Sequence, residues 1–258
     1  MKIQVLLSTM NQKDKKIIEK MNINSDAIII NQCEKNEIET IEKDGNKILF
    51  MSLKERGVGL SRNTALQRAS ADICIFADDD VIYNDDYKKI ILQEFENNPK
   101  ADVLIFNLQS LNKERPEYQI KKKSRINMFN CLRYGTSRIA IRLDKIRNAN
   151  INFSLLFGGG AKYSHGEDTL FLRECIKKGL KIYKIPVMIG TIGHETSTWF
   201  KGYNEKYLKD RGALYRFFSP RLKYLFCIQY AIRHKEFSEN FNKIEGLKLL
   251  LEGVSKKY

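Results

Sequence analysis

Ile73-Cys74-Ile75-Phe76-Ala77-Asp78-Asp79-Asp80 is the stretch on which the fold turns. A short apolar run of buried-strand type stops abruptly at three consecutive carboxylates. Adjacent negative charges at the edge of a low-dielectric interior repel one another unless a cation sits among them. Hard divalent cations such as Mn²⁺ or Mg²⁺ take carboxylate oxygens, commonly one or two from the protein, and fill their other positions with water and substrate phosphates. The triplet therefore points to a metal-bound phosphorylated substrate. A second reading is a solvated acidic turn ahead of a helix. Asn84, Asp85 and Asp86 follow, and they lead into Tyr87, Ile90, Ile91 and Phe95 at helical spacing.

Working outward from this strand, the first half of the chain alternates strand-like and helix-like segments. That order predicts an α/β domain with a mainly parallel sheet. Strands are expected at 3–8, 27–31, 47–52, 73–77 and 102–108. Helices are expected at 13–21, at 61–69 with Ser61 as N-cap, and at 87–97. From 110 to about 150 the chain is polar and basic and reads as connecting strands and loops. Ligands in open α/β sheets bind at the carboxyl ends of strands. Ser8-Thr9, Asn31-Gln32 and Asp78-Asp79-Asp80 are thus candidates for one site. The GxxxxGK[ST] loop and the Gly-rich dinucleotide pattern are both absent, so phosphate recognition falls to metal and basic side chains.

The 258 residues are 43% hydrophobic, enough for a substantial core. The N-terminus shows no secretory-signal pattern and no segment reaches the roughly 20 apolar residues needed to span a bilayer. A cytoplasmic protein is expected. Five widely spaced cysteines, with no CxxC pair, read as reduced core residues. The formal net charge is +14. Residues 199–235 hold nine Lys/Arg against two acids, together with ten of the 27 aromatics. Interleaved basic and aromatic residues suit an anionic membrane surface. They also suit single-stranded nucleic acid, or the aromatics form the core of a helical subdomain.

Six elements occur in the order found in family 2 glycosyltransferases of the GT-A fold, which this chain resembles over about residues 1–200. They are Ser8-Thr9, Asn31-Gln32, Gly59-Leu60-Ser61-Arg62-Asn63-Thr64-Ala65-Leu66, Ala77-Asp78-Asp79-Asp80, Gly166-Glu167-Asp168 and His194…Trp199. The resemblance implies a Rossmann-like nucleotide-binding sheet and inverting transfer of a sugar from a nucleotide donor, most often a UDP-sugar. It implies an acceptor of the glycan or polyprenyl-linked kind, as in bacterial surface-polysaccharide synthesis. Asp78 and Asp80 look like the outer members of the family's DxD motif, Asp80 for metal and Asp78 for donor or metal contact, with Asp79 between them. Asn31 stands where the family often has a base-recognising aspartate. Arg62 is placed to hold a phosphate or fix the acidic cluster.

Asp168 is the expected catalytic base, with Glu167 the alternative. Both also suit a helix N-terminus starting at Gly166. Gly159 and Gly160, in Phe157-Gly158-Gly159-Gly160, read as acceptor wall or as an ordinary loop. His194 is a candidate metal ligand and Trp199 a candidate sugar platform, although a lone histidine is more often structural and a unique tryptophan at least as often core.

The implied organisation is a nucleotide-sugar-binding half (1–110), an acceptor-binding and catalytic half (111–198) and a basic aromatic helical extension (199–258). The extension is expected to dock on the inner membrane face, with no nucleic-acid partner. Competing readings are a sugar-phosphate nucleotidyltransferase, which lacks its Gly-rich loop here, a non-catalytic basic membrane- or nucleic-acid-binding scaffold, and hydrolysis of nucleotide sugars.

Overall fold

In a computed structural model that describes residues 1–114, 116–193, 202–234 and 240–255, ten strands form one sheet. They are β1 (Ile3–Met10), β2 (Asp26–Gln32), β3 (Glu37–Lys43), β4 (Asn46–Leu53), β5 (Ile73–Asp78), β6 (Val81–Tyr83), β7 (Val103–Ser110), β8 (Ser124–Arg125), β9 (Ile139–Arg142) and β10 (Ile182–Ile192). Their order is β3-β4-β2-β1-β5-β9-β7-β10-β6, with β8 beside β10. Strands β4, β2, β1 and β5 run parallel, as do β7 and β10. Antiparallel β9 joins these two blocks. The carboxyl ends of the parallel strands therefore share one edge, where Ser8 lies opposite Asp78 and Thr9 opposite Asn31.

Strand β5 is covered on both faces, which is why its sequence is a continuous apolar run. Cys74 and Phe76 enter one core with α2 (Val58–Arg68), α4 (Leu143–Asn148) and α5 (Glu167–Lys177). Ile73, Ile75 and Ala77 enter the other with α1 (Ile17–Lys20) and α3 (Tyr87–Asn97). The period of two carries past the strand end, so Asp78 shares the side of Phe76 and faces α2 and α5. Phe76 meets Phe153 and Phe171 edge-on at 5.0 and 5.5 Å, which gives the acidic edge an aromatic floor.

Three local expectations are corrected. Helix α2 starts at Val58, not Ser61, because Gly57 at φ +124° turns the chain into it. Strand β3 forms a hairpin with β4 through Asp44 and Gly45, both at positive φ as a tight primed turn requires. The acidic triplet is not a helix-capping turn: β6 separates it from α3, and Asp86 occupies the N-cap position.

Three further helices, α6 (Glu205–Phe218), α7 (Lys223–Arg233) and α8 (Lys243–Ser255), close the first core. Helices α6 and α8 meet backbone to backbone: a Cβ on Gly212 would lie 1.9 Å from the Leu250 carbonyl oxygen, and one on Gly253 1.9 Å from that of Lys209. Four of the five cysteines are buried and all five are free thiols. Among the described residues no helix is long and apolar enough to cross a membrane.

Candidate active site

Consecutive residues Ser61, Arg62 and Asn63 of α2 project about 100° apart and so reach three different elements. Ser61 Oγ lies 2.7 Å from Ser8 Oγ, holding α2 against the end of β1. Asn63 clasps the backbone of Phe153, donating to its carbonyl at 3.0 Å and accepting from its N–H at 2.8 Å. Between them Arg62, only 4% exposed, donates to Asp78 Oδ1 at 2.7 Å and to Glu167 Oε1 at 2.8 Å. Burial disfavours its charge, but the two carboxylates outweigh that cost and hold the guanidinium protonated above its usual range. One buried cation thereby ties the acidic strand end to the N-terminus of α5.

The α5 end depends on two glycines. Gly166, at φ +110°, turns the chain so that Glu167 and Asp168 become the first helical residues, and a Cβ there would strike Leu214 at 2.7 Å. Gly158, at φ +102°, lies so close to Glu167 that a Cβ would sit 2.9 Å from its carboxyl carbon. Asp168 behaves differently from its neighbour. Burial, then the charge of Glu167, pushes its carboxyl up to about 7, partly offset by the Thr169 N–H donating to Oδ1 at 2.6 Å.

These elements enclose a cavity of about 800 Å³, a size typical of small-molecule sites. Ser8, Thr9, Arg62, Asp78, Asp79, Asp80, Gly159, Glu167 and Asp168 all line it, although they span 160 residues of sequence. Thr9 Oγ1 donates to Asp79 Oδ2 at 2.5 Å and accepts from Gln12 Nε2 at 2.8 Å, fixing the middle carboxylate. Asn31 does not line the cavity. It is buried, accepts from Gln12 N–H at 2.9 Å and donates to the Gln12 carbonyl and Ser52, so it shapes the loop after β1. Its neighbour Gln32 lines the cavity instead. Gly160 is exposed and outside that lining, whereas the Gly159 carbonyl accepts from Val58 N–H at 2.9 Å.

Among the described residues no group of three or more His, Cys, Asp or Glu is arranged to hold a metal ion. A hard cation often takes only two carboxylates when phosphates complete its shell, and Asp78 and Asp80 are the residues of this strand end that could offer them. Asp78 has one oxygen on Arg62 and keeps the other. The Asp80 carbonyl accepts from Gly193 N–H at 2.9 Å, at the exit of β10. His194 and Trp199 fall outside the described residues. Among the lining residues that went unrecognised in the sequence are Arg133, His165 and Arg211. His165 stacks on Tyr207 at 4.3 Å, and burial, then Arg211 and Lys206, keep its imidazole neutral. No local pattern marks any of the three.

A mostly parallel sheet between helices, its strand edge ending in an acidic triplet opposed by an acidic helix start, has the architecture of the GT-A class of fold. Residues 8–157 match the family model described as glycosyl transferase family 2, and the chain belongs to that family. Its chemistry is glycosyl transfer from a nucleotide-sugar. Solved structures agree on the fold. Against S. aureus TarS 1–349 in complex with UDP-GlcNAc the TM-score is 0.69 at 16% identity, covering 98% of this chain and 82% of that one. Against the same protein with UDP it is 0.66 at 15%, covering 99% and 81%. Against S. aureus TarS without that truncation it is 0.60 at 14%, covering 98% and 43%. No curated protein sequence matches the chain.

Proposed function

We propose that the 800 Å³ cavity binds a UDP-sugar and that the protein transfers the sugar, with inversion, to a glycan or polyprenyl-linked acceptor in surface-polysaccharide synthesis. The observation that carries this reading is the bridge from Asp78 through Arg62 to Glu167, which fixes donor-side and acceptor-side acids on two walls of one cavity. The UDP-GlcNAc and UDP complexes of S. aureus TarS support UDP as the carrier. Residues 1–110 serve the donor, 111–198 the acceptor, and 199–258 the surface on which the enzyme works.

Asp168 is the base. The Glu167 carboxylate is engaged by Arg62, whereas Asp168 is poised near neutrality, where a general base works best. As the acceptor oxygen bonds the anomeric carbon, the bond from that carbon to the phosphate oxygen breaks. UDP leaves with the electron pair and the acceptor hydroxyl proton passes to Asp168. Asp80, with the free oxygen of Asp78, would hold Mn²⁺ or Mg²⁺. Such an ion supplies neutralisation of the diphosphate leaving group. Ser8 and Thr9 act through hydrogen bonds to Ser61 and Asp79 that keep the donor wall in shape, and Gly159 leaves room for the acceptor.

Helix α7 supports work at a cytoplasmic membrane face. It buries Phe226, Cys227, Tyr230 and Ala231 and exposes Tyr224, Leu225, Ile228 and Ile232, continuing to Leu222. Arg221 and Lys223 adjoin this apolar stripe, a pattern complementary to anionic lipid. Arg216 reaches back to the Val254 carbonyl, so it belongs to the packing of α6 on α8.

The test is UDP release from a panel of UDP-sugars with glycan acceptors. Release by the wild type that is lost in Asp168→Asn supports the reading. Release unaffected by that substitution removes Asp168 from the chemistry.

A further inference from the structure

A second cavity, of about 420 Å³, opens beside the first between α6, α7 and the 129–133 segment, and the two share Leu132, Arg133 and Arg211. Its walls are aromatic and cationic: Tyr118, Tyr207, Tyr215 and Tyr230 with Arg133, Arg211 and Arg233. Among the described residues no carboxylate lines it. Arg211 is the centre of this surface. Its guanidinium lies 5.3 Å from the ring centres of both Tyr207 and Tyr230, and its Nη2 donates to the Tyr207 hydroxyl. Among the described residues its buried Nε has no acceptor and no carboxylate pairs with it. The adjacent acid, Asp210, is already spent on Lys206 at 2.6 Å and on the Ser164 N–H and hydroxyl, both at 2.8 Å.

A half-buried guanidinium with no carboxylate partner among the described residues, standing between a donor cavity and an open groove, is completed when an anion arrives. We propose that Arg211 and Arg133 form an anion subsite that holds a phosphate group of the acceptor, so that the true acceptor is phosphate-bearing rather than a neutral glycan. This rests on the glycosyltransferase reading of the neighbouring cavity. Aromatic walls suit the apolar and sugar faces flanking such a phosphate. Arg211 lines the same cavity as Asp168, which sets the subsite on the wall shared with the base. Two sources of the phosphate share this chemistry: a lipid diphosphate and a phosphodiester-linked chain.

The experiment is calorimetric titration of three probes into the full chain saturated with UDP in the presence of Mn²⁺: geranyl diphosphate, a glycerol phosphate oligomer and a neutral glycan oligomer. UDP itself is titrated in parallel. Binding of at least one phosphate probe, weakened about tenfold or more in both Arg133→Gln and Arg211→Gln and partly restored in Arg211→Lys, is expected from loss of a charge-assisted contact. The probe that binds identifies the source. Arg133 is exposed, so its substitution leaves folding intact and keeps the test valid should Arg211→Gln unfold. Phosphate probes that bind no better than the neutral oligomer, or equally to wild type and both variants, overturn the subsite. Failure of UDP to bind would instead strike the donor reading, with the comparison of phosphate probes still decisive for the subsite.

Discussion

Two arginines that line one cavity, buried Arg62 and half-buried Arg211, are satisfied in opposite ways. Arg62 spends both of its terminal nitrogens on carboxylates of the protein itself, whereas Arg211 rests between tyrosine rings with no carboxylate partner among the described residues. The contrast separates organisation from recognition. A paired buried cation locks two elements together and has little left for a ligand. One held by π faces at the edge of two cavities keeps its terminal donors nearer a ligand, although both arginines leave a buried Nε without an acceptor among the described residues.

The comparison can be broken first at the acid that Arg62 positions but does not touch. Asp168→Asn should lower turnover by at least about 10²–10⁴-fold with UDP affinity unchanged, measured by UDP release and titration. The wild-type rate should climb as pH rises through about 7, because the raised carboxyl must lose its proton before it can accept another. Ionising that group also works against folding, with a penalty that grows from pH 3.8 to about 7. Asp168→Asn should therefore melt higher than wild type at pH 8 and show no gain below about pH 4.

Arg62→Ala leaves Asp78 and Glu167 without their shared cation and should cost about 3–5 kcal/mol in urea denaturation, with activity lost as well. Arg211→Gln should cost clearly less stability. Equal losses in the two variants would erase the distinction between an organising and a receiving arginine. A smaller effect is expected at Gly158→Ala, where both the positive φ and the contact with Glu167 resist a side chain. Destabilisation of about 1–3 kcal/mol with reduced turnover should follow. The smallest effect lies on α7: Leu225→Glu with Ile232→Glu should abolish flotation with anionic liposomes while UDP release from the donor with soluble acceptors is unchanged. Reversing Arg221 and Lys223 should weaken flotation by about 1 kcal/mol per charge. Undiminished flotation would rule out α7 as the docking face.

Much of the donor edge was legible in the sequence because its polar residues sit directly at the ends of apolar runs, as Asp78 does after Ile73–Ala77. The role of Arg62 was legible in kind, fixing the acidic cluster, but its second partner, Glu167, lies 105 residues away and no local pattern announces it. Strand β3 was missed because Glu37, Glu39 and Glu42 alternate with only two isoleucines on an exposed edge. Strand β10 was missed because Pro186 and its register shifts against β7 interrupt any simple alternation. Asn31 sat at the right strand end, yet its amide turns to Gln12 and Ser52 because the loop after β1 needs it there. Arg211 was hidden for the opposite reason: on an amphipathic helix it reads as one more solvated charge, and only the fold surrounds it with tyrosines.

The most direct measurement is calorimetric titration of UDP into the protein with and without Mn²⁺, repeated with Asp80→Ala. Binding that requires Mn²⁺ and disappears in Asp80→Ala is the predicted result. Absence of UDP binding to the wild type in the presence of Mn²⁺ would contradict the assignment of this cavity as the donor site.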